Sequence, residues 1–361
     1  MNKILYTFLF TLCFWLQSYS SVIDSTTVHP YPQPYPWADS LIKTMTLEQK
    51  IAQLIMIRVV SNENGKYSKQ ITETISKLEL GGVCMFQGGP VRNVNLINRI
   101  QSVSKIPVLV SIDGEWGLSM RLDSTIMFPR QIALGAIQDN SLIYRMGKEI
   151  AREFLRAGIR LNFAPDADIN CNSKNPVINS RSFGSDRDNV TQKAIAYMMG
   201  MEDNGLMACA KHFPGHGDTE TDSHLALPII NHSVATLDSI DLYPFKRLIE
   251  SGISSVMIAH LFVPALDTTR NRPSSLSNAI VQDLLRKKLN FNGLIITDAL
   301  DMKGVSKFYK PGECELAALI ADNDILLLPV DPEIAIKTIK NAVDSCLISE
   351  ELITSKCLKV L

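Results

Sequence analysis

The run Leu206-Met207-Ala208-Cys209-Ala210-Lys211-His212-Phe213-Pro214-Gly215-His216-Gly217-Asp218-Thr219-Glu220-Thr221-Asp222-Ser223-His224 changes character at Ala210. Up to that point it is short and apolar, the pattern of a strand buried on both faces. Beyond it stand three of the chain's six histidines, a lysine and three carboxylates. Pro214, Gly215 and Gly217 rule out a regular helix or strand through the polar part. A buried strand feeding a loop dense in titratable groups is how α/β proteins build active sites.

The same unit repeats outward from this stretch. Short apolar runs at Leu54–Val59, Val83–Phe86, Val108–Ile112, Leu161–Ala164, Leu206–Ala210, Ser255–Ala259, Leu294–Thr297 and Ile325–Leu328 read as strands. Between them lie helical patterns, among them Val91–Val103, Leu142–Ala157, Val190–Asn204, Val234–Ser251, Asn278–Leu289 and Pro332–Ser345. Strand–helix alternation implies a parallel sheet. Eight such units in one chain of this length fit an α/β fold of the (β/α)8 TIM-barrel type. No glycine-rich fingerprint follows the first strand, which argues against a doubly wound dinucleotide fold. Polar residues close several strands: Asp113, Asp166, Lys211-His212, His260 and Asp298. In a barrel those ends converge on one rim. Each alone could be a cap; together they mark a site.

The 361-residue chain, 46% apolar, can bury a large core, and a net charge of −1 gives no reason to expect nucleic acid or an anionic membrane as partner. Residues 1–20 read as a signal peptide, with Lys3 before an apolar run and small residues near Ser20. That run is shorter than the ~20 residues needed to cross a bilayer, so no stable membrane insertion is expected after cleavage. Residues 21–45 form a Pro-rich leader and entry segment, and 46–361 the single catalytic barrel, opened by the capping-box pattern Thr46-Leu47-Glu48-Gln49. An exported chain, periplasmic or extracellular, permits disulfides. Cys84 and Cys209 nevertheless sit in apolar strands, so mostly free, buried thiols are expected, with Cys346–Cys357 the one pairing to test.

Asp298 follows Leu294-Ile295-Ile296-Thr297. Near Lys211 or Arg181 its carboxylate would stay ionised and suit attack on an electrophilic carbon; as a helix cap it would do no chemistry. Asp222 and His224, two apart, suit a carboxylate-oriented imidazole that exchanges a proton. Arg121 and Arg181 could anchor a polar ligand, and Trp116 could face a sugar ring. A second chemistry is a zinc or manganese site on His212, His216, Asp218, Asp222 and His224, although Pro214 and Gly215 break the helix that would align the first two. A Schiff base on Lys211 is a third.

The segments Ser111-Ile112-Asp113-Gly114-Glu115, Arg181-Ser182-Phe183-Gly184, Lys211 through Asp218, Asp222-Ser223-His224 and Thr297-Asp298-Ala299-Leu300-Asp301-Met302 together resemble glycoside hydrolase family three. More narrowly they are similar to its β-N-acetylglucosaminidase branch, from about Trp37 to the C-terminus. The resemblance implies a (β/α)8 barrel and a retaining, exo-acting hydrolysis of β-linked N-acetylglucosamine. It implies Asp298 as nucleophile, His224 as acid/base and Asp222 as its partner. Asp113, Arg121, Arg181, Lys211 and His212 match positions that hold the sugar's hydroxyls, and no metal or organic cofactor is implied. Trp116 and Leu118 stand where many relatives have glycine and arginine. The expected partner is a carbohydrate, from peptidoglycan fragments or chitin-type oligosaccharides. Because a histidine acid/base does not repel an anion, phosphorolysis stands beside hydrolysis. A metal-dependent hydrolase on His212, His216 and His224 and a silent sugar-binding barrel are the remaining readings. Some relatives continue into a further C-terminal domain, so a longer protein is expected to be possible here.

Overall fold

A computed structural model describes residues 35–220 and 227–361. Eight parallel strands form one sheet: β1 (Ile55–Val59), β2 (Gly82–Met85), β3 (Leu109–Ile112), β4 (Leu161–Asn162), β5 (Met207–Phe213), β6 (Ser255–Ile258), β7 (Leu294–Thr297) and β8 (Leu326–Leu327). β1 pairs with β2 on one side and β8 on the other. The sheet closes through the parallel bridge Ile296–Ile325 and the bond from Thr297 N–H to the Ile325 carbonyl. The expected (β/α)8 barrel is therefore observed, and all eight expected strands are present within a few residues of their predicted bounds.

Strand periodicity divides the core. On β1, Ile55, Ile57 and Val59 face the surrounding helices, while Met56 joins Cys84, Leu161, Cys209, Met257 and Ile296 inside the barrel. Alternation then sends the residue two positions further on to the same inner face, toward the C-terminal rim. Stepping from Met56, Cys84, Ser111, Cys209 and Ile296 reaches Arg58, Phe86, Asp113, Lys211 and Asp298.

The helices surround this sheet. Leu47–Gln53 opens with the predicted capping box at Thr46, and Asn140–Arg156 packs on Arg187–Glu202, where Gly147 and Gly200 let the backbones approach. The sequence reading did not foresee helix Gly65–Leu78. The helical pattern at Asn278–Leu289 is realised as the π-helical segment Ala279–Lys288. The C-terminal helix Glu350–Val360 is clasped at the base of the barrel by Lys356, which bonds to Asp322 at 2.6 Å.

One strand boundary departs from expectation. β5 does not stop at Ala210 but runs to Phe213, since Lys211 and His212 find buried ionic partners and need no exit to solvent. The cysteines are as expected: Cys346, exposed, and Cys357, buried, are not bridged, and all six described cysteines are free, four of them buried. Among the described residues no helix is long and apolar enough to cross a membrane. The expected signal peptide, most of the leader, and Asp222 and His224 lie outside the described residues.

Candidate active site at the C-terminal rim

The rim residues of β3, β5 and β7 meet around two adjoining cavities of about 320 and 260 Å³. Asp113, Arg121, Met257 and Asp298 line both. The larger extends over Arg58, Phe86, Asp301 and Lys303, the smaller over Arg181, Lys211, His212 and His216.

β5 supplies two successive functional side chains because its register with β6 shifts between Ala210 and Phe213. Such an irregularity re-aims side chains at barrel rims. The peptide bonds Lys211–His212 and Phe213–Pro214 are both cis, as is Ala164–Pro165 on the neighbouring strand end. Lys211 Nζ lies 2.9 Å from Asp113 Oδ1 and 2.9 Å from Glu115 Oε1. Arg121 Nη2 donates to Asp113 Oδ2 at 2.6 Å, and its buried Nε–H has no acceptor among the described residues. Arg181 forks onto Glu115, with Nη2 2.7 Å from Oε1. Burial alone would raise the Asp113 carboxyl, but Lys211 and Arg121 outweigh it and hold it well below the usual carboxylate range. Burial would likewise raise Glu115, yet Arg181 and Lys211 bring it down to about 2.

His212 is neutral by geometry. A guanidinium can only donate, so Arg181 Nη2, 3.1 Å away, donates to Nε2. Nδ1–H then donates to Asp168 Oδ2 at 2.7 Å. Burial and the charges of Arg181 and Lys211 push its pKa down to about 3. Asp168 also accepts the His216 backbone N–H at 2.6 Å, tying the loop to the end of β4. Burial and the Arg181 charge depress His216 to about 4. Asp166, wholly buried, keeps one oxygen without a hydrogen-bond partner among the described residues. Burial and the neighbouring Asp168 raise its carboxyl well above the ordinary value.

Asp298 caps its own turn, with Oδ1 accepting the Ala299 N–H at 2.7 Å. Burial would raise it, but the bond from the Ala299 N–H favours the anion whatever the state of the imidazoles, and its carboxyl lies below the ordinary carboxylate value. Lys211 and Arg181, expected beside Asp298, are instead committed to Asp113 and Glu115. His260 donates from Nε2 to the Ala299 carbonyl at 3.0 Å and accepts the Ser275 hydroxyl at Nδ1. It supports the turn that carries Asp298.

The structure thus brings Asp113, Arg121, Arg181, Lys211, His212 and Asp298 to one pair of cavities. Trp116 lies apart, half-buried, with the Arg130 guanidinium 4.6 Å over its ring. Sequence reasoning quoted Glu115 only as part of a motif and missed Asp168, Arg58 and Phe86; continuing each strand's inward alternation by two residues finds the last two. Asp166, Asp168 and His212 could together offer three ligand atoms to a metal ion. The Arg181 guanidinium already supplies positive charge there, 3.7 Å from Asp166 Oδ2. Both His212 nitrogens are also engaged.

Residues 46–361 match the glycosyl hydrolase family 3 N terminal domain. The chain belongs to glycosyl hydrolase family 3. It is similar to β-hexosaminidase A of Pseudoalteromonas piscicida, 35% identical over 285 residues, which cover 72% of this chain and 48% of that protein. Among solved structures, the family 3 β-N-acetylglucosaminidase of Paenibacillus sp. str. FPU-7 superposes with a TM-score of 0.82 at 35% identity, over 88% of this chain and 62% of that one. The β-glucoside phosphorylase BglX reaches a TM-score of 0.85 at 25% identity, over 90% of this chain and 59% of that one. The family 3 barrel described here therefore spans about half to three fifths of the length of these three proteins.

Proposed function

We propose that this family 3 barrel is a retaining exo-β-N-acetylglucosaminidase. The observation that carries the reading is Asp298: an ionised carboxylate on the end of β7, shared by both cavities, with one oxygen held by the Ala299 N–H. A fixed anion at the floor of a cavity suits attack on an anomeric carbon, forming a glycosyl ester. Asp113 faces the same cavities and suits accepting hydrogen bonds from hydroxyls, while Arg121, whose Nε–H has no acceptor among the described residues, suits donating to a ring substituent. Lys211, Arg181 and Glu115 hold these groups in place through buried ion pairs.

In this reading Asp298 attacks as imidazolium His224, oriented by Asp222, protonates the departing oxygen. Neutral His224 then takes a proton from the water that cleaves the ester, returning Asp298 as carboxylate. The loop sequence between Asp218 and His224 supports these roles, as do the names of the relatives. The N-terminal signal pattern supports an exported enzyme acting on peptidoglycan fragments or chitin-type oligosaccharides.

Release of p-nitrophenol from the aryl β-N-acetylglucosaminide, in chelator-containing buffer, tests the reading. Wild type should turn over and Asp298→Ala should lose on the order of 10³-fold or more. Activity abolished by chelator, or retained by Asp298→Ala, would overturn it. Phosphorolysis is the second reading, favoured by the likeness to BglX and by Arg58 and Lys303 on the larger cavity. It predicts a phosphate-dependent rate with a sugar 1-phosphate as product.

A further inference from the structure

His232 is used by none of the chemistry above, yet both of its ring nitrogens are committed. Nδ1 lies 2.7 Å from Asp241 Oδ2, and Nε2 lies 2.8 Å from Asp218 Oδ2. Carboxylates accept, so with both ionised the ring donates twice and sits as an imidazolium between two anions. Asp218 belongs to the stem that leaves β5, and His232 to the stem that returns toward the helix Tyr243–Glu250. Asp241, its side chain only 2% exposed, is part of the packed body of the barrel. Between the two stems the sequence carries Asp222 and His224.

Each stem is fastened separately as well. His216 N–H bonds to Asp168, and Asn175 Nδ2 donates to the His216 carbonyl at 2.8 Å. On the returning side, Ile230 N–H bonds to the Phe262 carbonyl at 2.9 Å. Gly215 presses so close to Asp241 that a Cβ there would lie 2.7 Å from the Asp241 Cβ. His232 adds a bond from one stem to the other, and from both to Asp241.

We infer that His232 is a positioning residue for proton transfer, joining the ends of the segment that carries Asp222 and His224 and seating them on Asp241. Tying both ends of a loop removes conformations in which its groups miss their target, and small misplacements of a catalytic group cost rate steeply. The inference rests on the reading of His224 as the acid/base. Its signature is selective, because only departing groups that need a proton feel the misplacement.

The test compares kcat/KM for aryl β-N-acetylglucosaminides with good and poor leaving groups in wild type, His224→Ala, His232→Asn, Asp218→Ala and Asp218→Asn, with thermal midpoints alongside. His232→Asn and Asp218→Ala should lose roughly 10- to 100-fold on the poor leaving group and far less on the good one. Asp218→Asn keeps a carbonyl acceptor for Nε2–H and should recover most of that loss. Equal losses on both substrates, or none, in His232→Asn and Asp218→Ala would overturn the inference while His224→Ala still discriminates. If His224→Ala itself fails to discriminate, the acid/base reading falls and takes the inference with it.

Discussion

At the scale of single residues, the site is a balance of charge. Lys211 and Arg121 pair with Asp113, Arg181 and Lys211 pair with Glu115, and at Asp166 burial and the neighbouring Asp168 outweigh Arg181, 3.7 Å away. The Asp166 carboxyl is raised, so the folded state binds a proton that the unfolded chain releases at lower pH. Its contribution is therefore fully present below the unfolded carboxyl value and is lost as pH rises toward the folded one. Asp166→Asn, which is neutral at every pH, should raise the thermal midpoint by a few degrees at pH 8. That gain should shrink toward pH 4; a gain constant across this range would mean that folding does not raise the Asp166 carboxyl. Much at this scale could be read from sequence: Asp113, Arg121, Arg181, Lys211, His212 and Asp298 all reach the rim. The pairing could not. Which cation meets which anion depends on side-chain reach across β3 and β5, and sequence reasoning placed Lys211 and Arg181 beside the wrong carboxylate.

At the scale of elements, the strands were legible because each is apolar, short and buried on both faces, with few competing patterns. The end of β5 was not, since a lysine and a histidine inside a strand are stable only with partners contributed by distant segments. Helix Gly65–Leu78 escaped because it is largely polar, with Thr72 and Ile75 its only buried residues. The loop after β5 is governed by close approach more than by polarity. A Cβ on Gly217 would lie 1.7 Å from the Ile169 carbonyl oxygen. Gly217→Ala should therefore displace the stem, costing about 3 kcal/mol by overpacking and lowering activity with it. Denaturant unfolding and the aryl-glycoside assay check both; a variant as stable and active as wild type would show that the stem tolerates movement.

At the scale of the whole molecule, the barrel is closed at its base by its last helix. Lys356, only 4% exposed at its side chain, lies between Asp322 and Asp324, and Arg286 pairs with both from the other side. Lys356→Met should cost about 3 kcal/mol or less, because Arg286 still faces both carboxylates. kcat/KM of the folded fraction should not change, since the clasp lies at the opposite end from the rim; a selective loss of kcat/KM would contradict that separation. The overall architecture was legible in the repeated strand–helix alternation, and family membership in the motifs at the rim. The central claim, Asp298 as nucleophile, is tested most directly by trapping. A fluorinated N-acetylglucosaminyl fluoride that slows ester hydrolysis should add one sugar mass to the intact enzyme. Peptide mass mapping should place that mass on Asp298, with no label in Asp298→Ala. Label on another residue, or turnover of the trap with no covalent adduct, would contradict the account.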